Sequence, residues 1–222
     1  MPTGIITGAS RGLGLALARA LTRDGWELVI DARGGDALEA AASELRATAV
    51  VGDVTDPEHR RALVDAAGPR IDLLVNNASV LGPSPLPSLA DLDVNAFARV
   101  MLANTLAPLA LTQLVLPRMP DGGVVLNVSS DAAVWPYEGW GGYGATKAAL
   151  DHAGRVLAAE RPDLRVLTID PGDMRTQMHQ DAFPGEDISD RPPPEDSVPA
   201  ILALVEGDEP SGRYRASEVV AA

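Results

Sequence analysis

Six short apolar runs alternate along this chain with stretches of helical period. The runs are Gly4–Thr7, Glu27–Asp31, Ala49–Val51, Ile71–Val75, Val124–Val128 and Arg165–Ile169. Between them, Leu13, Leu17, Ala20 and Leu21 fall on one helical face, as do Leu38, Ala41, Ala42 and Leu45. Strand–helix alternation with short connections predicts an α/β fold: a parallel sheet covered by helices on both faces. Right-handed crossovers leave few topologies for such a sheet. A chain of 222 residues buries about 70% of its unfolded surface, enough for a core without covalent staples. No repeat or linker divides it, so residues 1–222 are expected to form a single domain.

The second half has longer elements. Asn95–Leu116 reads as one helix, expected to bend at Pro108. A second helix is expected from about Tyr143 to Glu160, and a last one over Glu195–Glu206. Residues 172–195 hold prolines and acids with little periodicity and read as a loop acting as a substrate lid.

Composition removes several functions. The net charge is −13, and from Asp170 onward 12 acids face 4 arginines. Such a chain repels phosphate backbones and anionic bilayers, so no nucleic-acid or membrane partner is expected. With no cysteine there is no disulfide, zinc-thiolate site or thiol nucleophile. His59, His152 and His179 lack ligand spacing, so no metal site is assigned. The opening Met1-Pro2-Thr3-Gly4-Ile5-Ile6 has no targeting pattern, and Leu106–Leu116 is too short and polar to span a bilayer; a cytoplasmic location is expected.

The first run leads directly into Thr7-Gly8-Ala9-Ser10-Arg11-Gly12-Leu13-Gly14. Glycines between a strand and a helix let the backbone approach a pyrophosphate, which the helix N-terminus attracts. The second run ends Ile30-Asp31-Ala32-Arg33. An acid there bonds the ribose hydroxyls of NAD, whereas an arginine pairs with the 2′-phosphate of NADP. Alternation along a strand points Asp31 and Arg33 the same way, with Arg33 nearer the ligand end. Arg11 adds a second cation, so NADP is expected rather than NAD.

The cations comprise 17 arginines and a single lysine, Lys147. A lone lysine points to a task for a compact ammonium. Tyr143 stands four residues earlier, on the same helical face. Free tyrosine titrates near pH 10, and an ammonium at about 4 Å supplies on the order of 4 kcal/mol in favour of phenolate. The pair is therefore expected to do acid–base work with a phenol made acidic by Lys147. Four of the eight aromatic residues, Trp135, Tyr137, Trp140 and Tyr143, crowd nearby and are expected to line an apolar pocket.

Together these residues resemble the shorter, single-domain branch of the short-chain dehydrogenase/reductase family, through nearly the whole chain. Thr7–Gly14 resembles its cofactor signature, in which Gly8, Ser10, Arg11, Gly12, Leu13 and Gly14 would touch the cofactor. Asp53-Val54 is similar to the adenine-binding pair. Asn76-Asn77-Ala78 resembles the family's Asn-Asn-Ala-Gly, with Ser79 where glycine is usual. Pro171-Gly172, followed by Met174 and Thr176, resembles the segment that holds the nicotinamide carboxamide.

The resemblance implies a Rossmann-like sheet ordered 3-2-1-4-5-6-7 and a catalytic tetrad. Ser130, preferred to Ser129, would bond the substrate carbonyl, and Tyr143 would pass the proton. Lys147 would hold the nicotinamide ribose and lower the phenol's pKa, and Asn104 would anchor a relay water. Trp135, Tyr137, Trp140 and Met178 are expected to line the substrate. The usual last strand is abbreviated, so a homodimer through Asn95–Leu116 and Tyr143–Glu160 is expected at least as readily as a tetramer.

The implied activity is hydride transfer between NADP and a small-to-medium, largely apolar ketone or secondary alcohol. A nucleotide-sugar epimerase or dehydratase needs a larger C-terminal part. A non-catalytic NADP-binding redox sensor has no need of the full tetrad.

Overall fold

The computed structural model describes residues Met1–Val219. Seven parallel strands form one sheet: β1 (Thr3–Ile6), β2 (Glu27–Ala32), β3 (Thr48–Val51), β4 (Leu73–Asn76), β5 (Val124–Val128), β6 (Arg165–Asp170) and β7 (Gly212–Arg215). Their order is 3-2-1-4-5-6-7. The alternation of the sequence thus becomes a doubly wound sheet, with the order reversing at β1 and β4. In register, Ile6 lies beside Ile30 and Val75, Asn76 beside Asn127, Val128 beside Ile169, and Asp170 beside Arg215. The residues that follow these strands therefore emerge along one edge, where open α/β sheets place their ligands.

Two cores cover the sheet. On one face α1 (Gly12–Arg23), α2 (Gly35–Leu45) and α8 (Val198–Glu206) bring Leu17, Leu21, Leu38, Ile201 and Leu204 onto Ile6, Ile30 and Leu126. On the other, α3 (Pro57–Ala67) and α5 (Ala107–Val115) bring Leu63, Leu111 and Val115 onto Ile5, Leu74 and Val125. The expected apolar faces of α1 and α2 are those buried, and β-strand side chains alternate between the two cores.

The long helix of the second half runs over Val94–Arg118. It comprises α4 (Val94–Met101), a π-helical turn over Leu102–Leu106, α5 and a closing 3-10 turn. Pro108 has no N–H, and in a regular helix its ring would press on the carbonyl of Asn104. The chain meets this with a wider turn, in which the Ala107 N–H donates to Leu102 O. This helix is long and apolar enough by composition to cross a membrane, but half of its most apolar stretch is buried in the fold. It packs on α3 and on α6 (Gly141–Glu160) as a core helix does.

The segment read as an unstructured lid contains a short helix, α7 (Gln177–Ala182), capped by Thr176. The last helix begins at Val198, preceded by a 3-10 turn over Pro194–Ser197. Strand β7 showed no apolar run in the sequence. It is a half-buried edge strand whose Tyr214 packs into the first core.

Candidate active site

The glycine turn is held from below by side chains of the β4 end. Thr7 Oγ1 accepts from the N–H groups of Asn77 and Ala78, both at 3.0 Å, and Asn77 Nδ2 donates to the carbonyls of Thr7 and Gly8. Gly8 has φ +69°, and a Cβ on it would lie 2.9 Å from Ala78 Cα. A Cβ on Gly14 would lie 2.5 Å from both Asn77 Nδ2 and Gly8 O. Only glycine fits either position. Helix α1 starts at Arg11 with no side-chain cap and no acid in its first turn. Its first amides are therefore left to an anion.

Asp31 and Arg33 differ in burial. Asp31 is buried beneath the turn; one carboxylate oxygen accepts from Gly8 N at 2.6 Å and the other lies 2.9 Å from His59 Nε2. The strand ends at Ala32, and Arg33 beyond it is exposed, as is Arg11. An acid engaged in this way does not reach a ribose, so the cations are what this edge offers a ligand. Asp53 is opposed by burial, yet the Thr55 N–H and hydroxyl, with Arg33 and His59 nearby, hold its carboxyl below the usual range. Val54 lines a narrow recess with Thr7 and Ala78. Thr176 Cγ2 lies 3.7 Å from where a Gly12 Cβ would stand, which brings the lid's start to the glycine turn. Gly172, reached through Pro171, donates its N–H to Asp170 Oδ1. Met174 packs against the first core, and Ser10 is half-buried. This chain therefore has two exposed arginines, a free helix N-terminus and a turn shaped for close approach, which fit a dinucleotide pyrophosphate.

Tyr143 and Lys147 lie on the first turns of α6, 7% and 2% exposed. Lys147 Nζ is 5.5 Å from the tyrosine ring centroid and donates to Val128 O at 2.8 Å. The expected acidification of the phenol is not built into the chain by itself. Burial pushes the Tyr143 pKa well above its ordinary value; Ser79 opposes this, and the carboxylates of Asp131 and Asp170 add to it. Burial likewise lowers Lys147 to about 8, against the pull of Asp151. Both groups sit in a dry site that favours their neutral forms.

Ser130 follows β5 and caps a 3-10 turn. Its hydroxyl accepts from Ala132 N at 3.1 Å and donates to Asp131 Oδ1 at 3.0 Å. Ser129 is buried and donates to Asp151 on α6. Asn104 lies within the π turn, fully buried. Its side chain bonds the N–H and C=O of Val80 and the hydroxyl of Thr146. Both Nδ2 donors are thereby committed, and Pro108 has no N–H to offer the Asn104 main-chain carbonyl.

The aromatic residues divide. Trp140 stacks edge-on to Tyr143 with centroids 5.8 Å apart and meets Phe183 at 6.0 Å. Leu81, Ala132 and Ala182 bury this group, with Leu86 and Met178 against it. Trp135 and Tyr137 stand outside it, 52% and 47% exposed, with the Tyr137 hydroxyl donating to Asp131 Oδ2. Phe183 and Leu86 escaped the sequence reading. Phe183 is one of only two phenylalanines, a signal within reach; Leu86 carried none.

A model of the family described as short chain dehydrogenase matches residues 3–187. The short chain dehydrogenase asqE of Emericella nidulans is 39% identical over 71% of this chain, and the match spans 64% of that relative's own length. The benzil reductase ((S)-benzoin forming) of Saccharomyces cerevisiae is 35% identical over 80% of this chain and 73% of its own. Among solved structures, a short chain dehydrogenase from Shigella flexneri complexed with NADP superposes with a TM-score of 0.89 at 29% identity, covering 97% of each chain. With this sheet order and this match along its length, the chain belongs to the short-chain dehydrogenase/reductase family of NAD(P)-dependent oxidoreductases.

Proposed function

We propose that this protein is an NADP-dependent carbonyl reductase, or alcohol dehydrogenase in the reverse direction, for a small-to-medium and largely apolar ketone. The observation that carries this reading is a buried phenol, Tyr143, facing an apolar cluster of Trp140, Phe183, Leu81 and Met178 beside the only lysine. The bound nicotinamide supplies or takes up hydride at its C4. Arg11 and Arg33 hold the 2′-phosphate and the α1 N-terminus holds the pyrophosphate. The relative complexed with NADP supports that cofactor choice.

Each side chain has one part. Ser130 turns its hydroxyl from Asp131 to the substrate oxygen. Tyr143, kept protonated by burial, gives that oxygen its proton, which suits reduction near neutral pH. Lys147 holds the cofactor ribose and replaces the proton Tyr143 has given. The main-chain carbonyl of Asn104 anchors the water behind it. The lid, residues 172–195, excludes solvent with Met178 and Phe183.

The active form proposed is a homodimer. Leu102, Leu106 and Leu109 on the long helix and Val156 on α6 are exposed apolar side chains, and a second copy would bury them. Sedimentation at micromolar concentration checks it; a monomer refutes it.

The function is tested by NADPH oxidation with a carbonyl panel that includes benzil. Tyr143→Phe is expected to lower turnover by about 10²–10⁴-fold while NADPH affinity stays within about threefold. Equal turnover in the variant removes Tyr143 from the reaction.

A further inference from the structure

Arg213 lies on the edge strand β7, outside every motif that carries the family resemblance. Its side chain shares a face of the strand with Arg215, opposite the core-packed Tyr214. Its guanidinium reaches three elements at once. Nε donates to Asp151 Oδ2 on α6 at 2.9 Å, and the Nη2 group donates to the main-chain carbonyl of Ser130 at 2.9 Å. The same nitrogen lies 3.5 Å from Asp170 Oδ2, at the end of β6.

Each of these contacts leads to the reacting groups. Asp151 is one helical turn beyond Lys147 and also accepts from the Ser129 hydroxyl. Val128, Ser129 and Ser130 are thereby tied in succession: Val128 O to Lys147, Ser129 to Asp151, and Ser130 O to Arg213. Asp170 precedes Pro171-Gly172, the segment read as holding the nicotinamide. A planar, permanently charged fork is the side chain suited to such a three-way junction.

We infer that Arg213 is a positioning residue of this site: from the last strand it fixes Ser130 through its carbonyl and sets α6, with Tyr143 and Lys147, through Asp151. The inference rests on the reading of Ser130, Tyr143 and Lys147 given above. It makes β7 part of the active site rather than an ornament of the sheet edge. Arg213 also neutralises Asp151, the carboxylate whose field acts on Lys147. Tyr143 on α6 lies against that ammonium and itself feels Asp131 after β5 and Asp170 on β6, the latter 3.8 Å from Arg215 on β7. Helices α4 and α5 add only the exposed Arg99.

Because Lys147 is the sole lysine, a chain labelled with 13C at lysine Cε gives one side-chain resonance, which reports the ammonium without any substrate. Three variants are compared: Arg213→Met, Arg213→Lys and Arg213→Met/Asp151→Leu. In Arg213→Met the uncompensated Asp151 is expected to raise the Lys147 midpoint by about one pH unit. Tm should fall by about 10 °C, since two buried carboxylates lose their partner. With benzil and NADPH, kcat should drop about 10–100-fold while both KM values stay within about threefold. The double variant removes the stranded charge; its Tm should recover, its Lys147 midpoint should fall below wild type, and its kcat should stay low. Arg213→Lys should restore the midpoint and only part of kcat. If Arg213→Met does not fold, the other two variants decide.

Recovery of both Tm and kcat in the double variant overturns the inference, because Arg213 then only balances charge. An unchanged Lys147 midpoint in Arg213→Met and in the double variant also overturns it. Should wild type fail to reduce benzil, that result counts against the proposed substrate class, and the lysine resonance alone decides the role of Arg213.

Discussion

The glycine turn and residues 172–195, the lid proposed above, are held in different ways. Around the turn, hydrogen bonds join residues far apart in sequence: Gly8 to Asp31, 23 residues on, and Thr7 to Asn77 and Ala78, 70 and 71 residues on. Across the lid, Gln177, Gln180 and Thr176 bond groups three to six residues away. A long-range tie there comes from Ser84 to the Asp181 carbonyl. The cofactor side is thus fixed by the topology of the sheet, and disturbing it disturbs the fold. The substrate side is built from local bonds and a small apolar cluster, so its side chains are free to vary without cost to the sheet. In a family with one cofactor chemistry and many substrates, that division of labour is what the physics permits.

The contrast can be broken at its strongest point first. Gly14→Ala places a methyl group 2.5 Å from Asn77 Nδ2 and Gly8 O, where the neighbours cannot retreat. Urea unfolding is expected to show a loss of about 3 kcal/mol, with NADPH binding lost as well. Retained stability would show that the turn is softer than its hydrogen bonds imply.

A smaller effect comes from pH. The unfolded lysine keeps its proton up to about 10.5, whereas buried Lys147 releases it near 8. Between these values the unfolded state holds more protons, so rising pH favours the folded state. Relative to Lys147→Met, the wild type is expected to gain about 2.5 kcal/mol across that window, as read from denaturant midpoints at successive pH values. Tyr143 is present in both chains and cancels. A difference that is flat with pH would place the ammonium in a wetter setting than its burial indicates.

Smaller again is Arg33→Ala on the cofactor side. Arg33 is exposed, so it is expected to contribute about 1.5 kcal/mol, a roughly tenfold loss of NADPH affinity with NADH affinity unchanged. Equal losses for both cofactors would remove the 2′-phosphate from its role. The smallest effect belongs to the substrate rim. Trp135→Ala is expected to change stability by less than about 0.5 kcal/mol and to alter KM selectively for bulky ketones. A large loss of stability there would erase the distinction between the two sides.

The sheet was legible in the sequence because buried parallel strands are apolar throughout, and β5 and the start of β6 fall at the residues their runs marked. Strand β7 was hidden because an edge strand reading Gly-Arg-Tyr-Arg has no apolar run; its arginines are there to make ion pairs. The glycine turn was legible because its requirement is on the backbone, and residue type reports backbone freedom directly. What the sequence did not show of Asp31 is its tertiary contacts: its carboxylate is taken by Gly8 N and His59, residues 23 and 28 positions away. The electrostatics of Tyr143 involve more than one pair. An estimate from one ammonium at about 4 Å omits burial, which raises the phenol's pKa, with Ser79 acting the other way. Of the four aromatics, Tyr143 is buried, Trp140 is half-buried against it, and Trp135 and Tyr137 are exposed, since sequence proximity does not say which side of a turn a ring takes.

The guanidinium of Arg213 spans 83 residues of chain to reach Ser130. During synthesis everything the reaction needs up to the lid leaves the ribosome well before that arginine does. On the role proposed for Arg213, full positioning of Ser130 would be completed only when this closing strand joins the sheet.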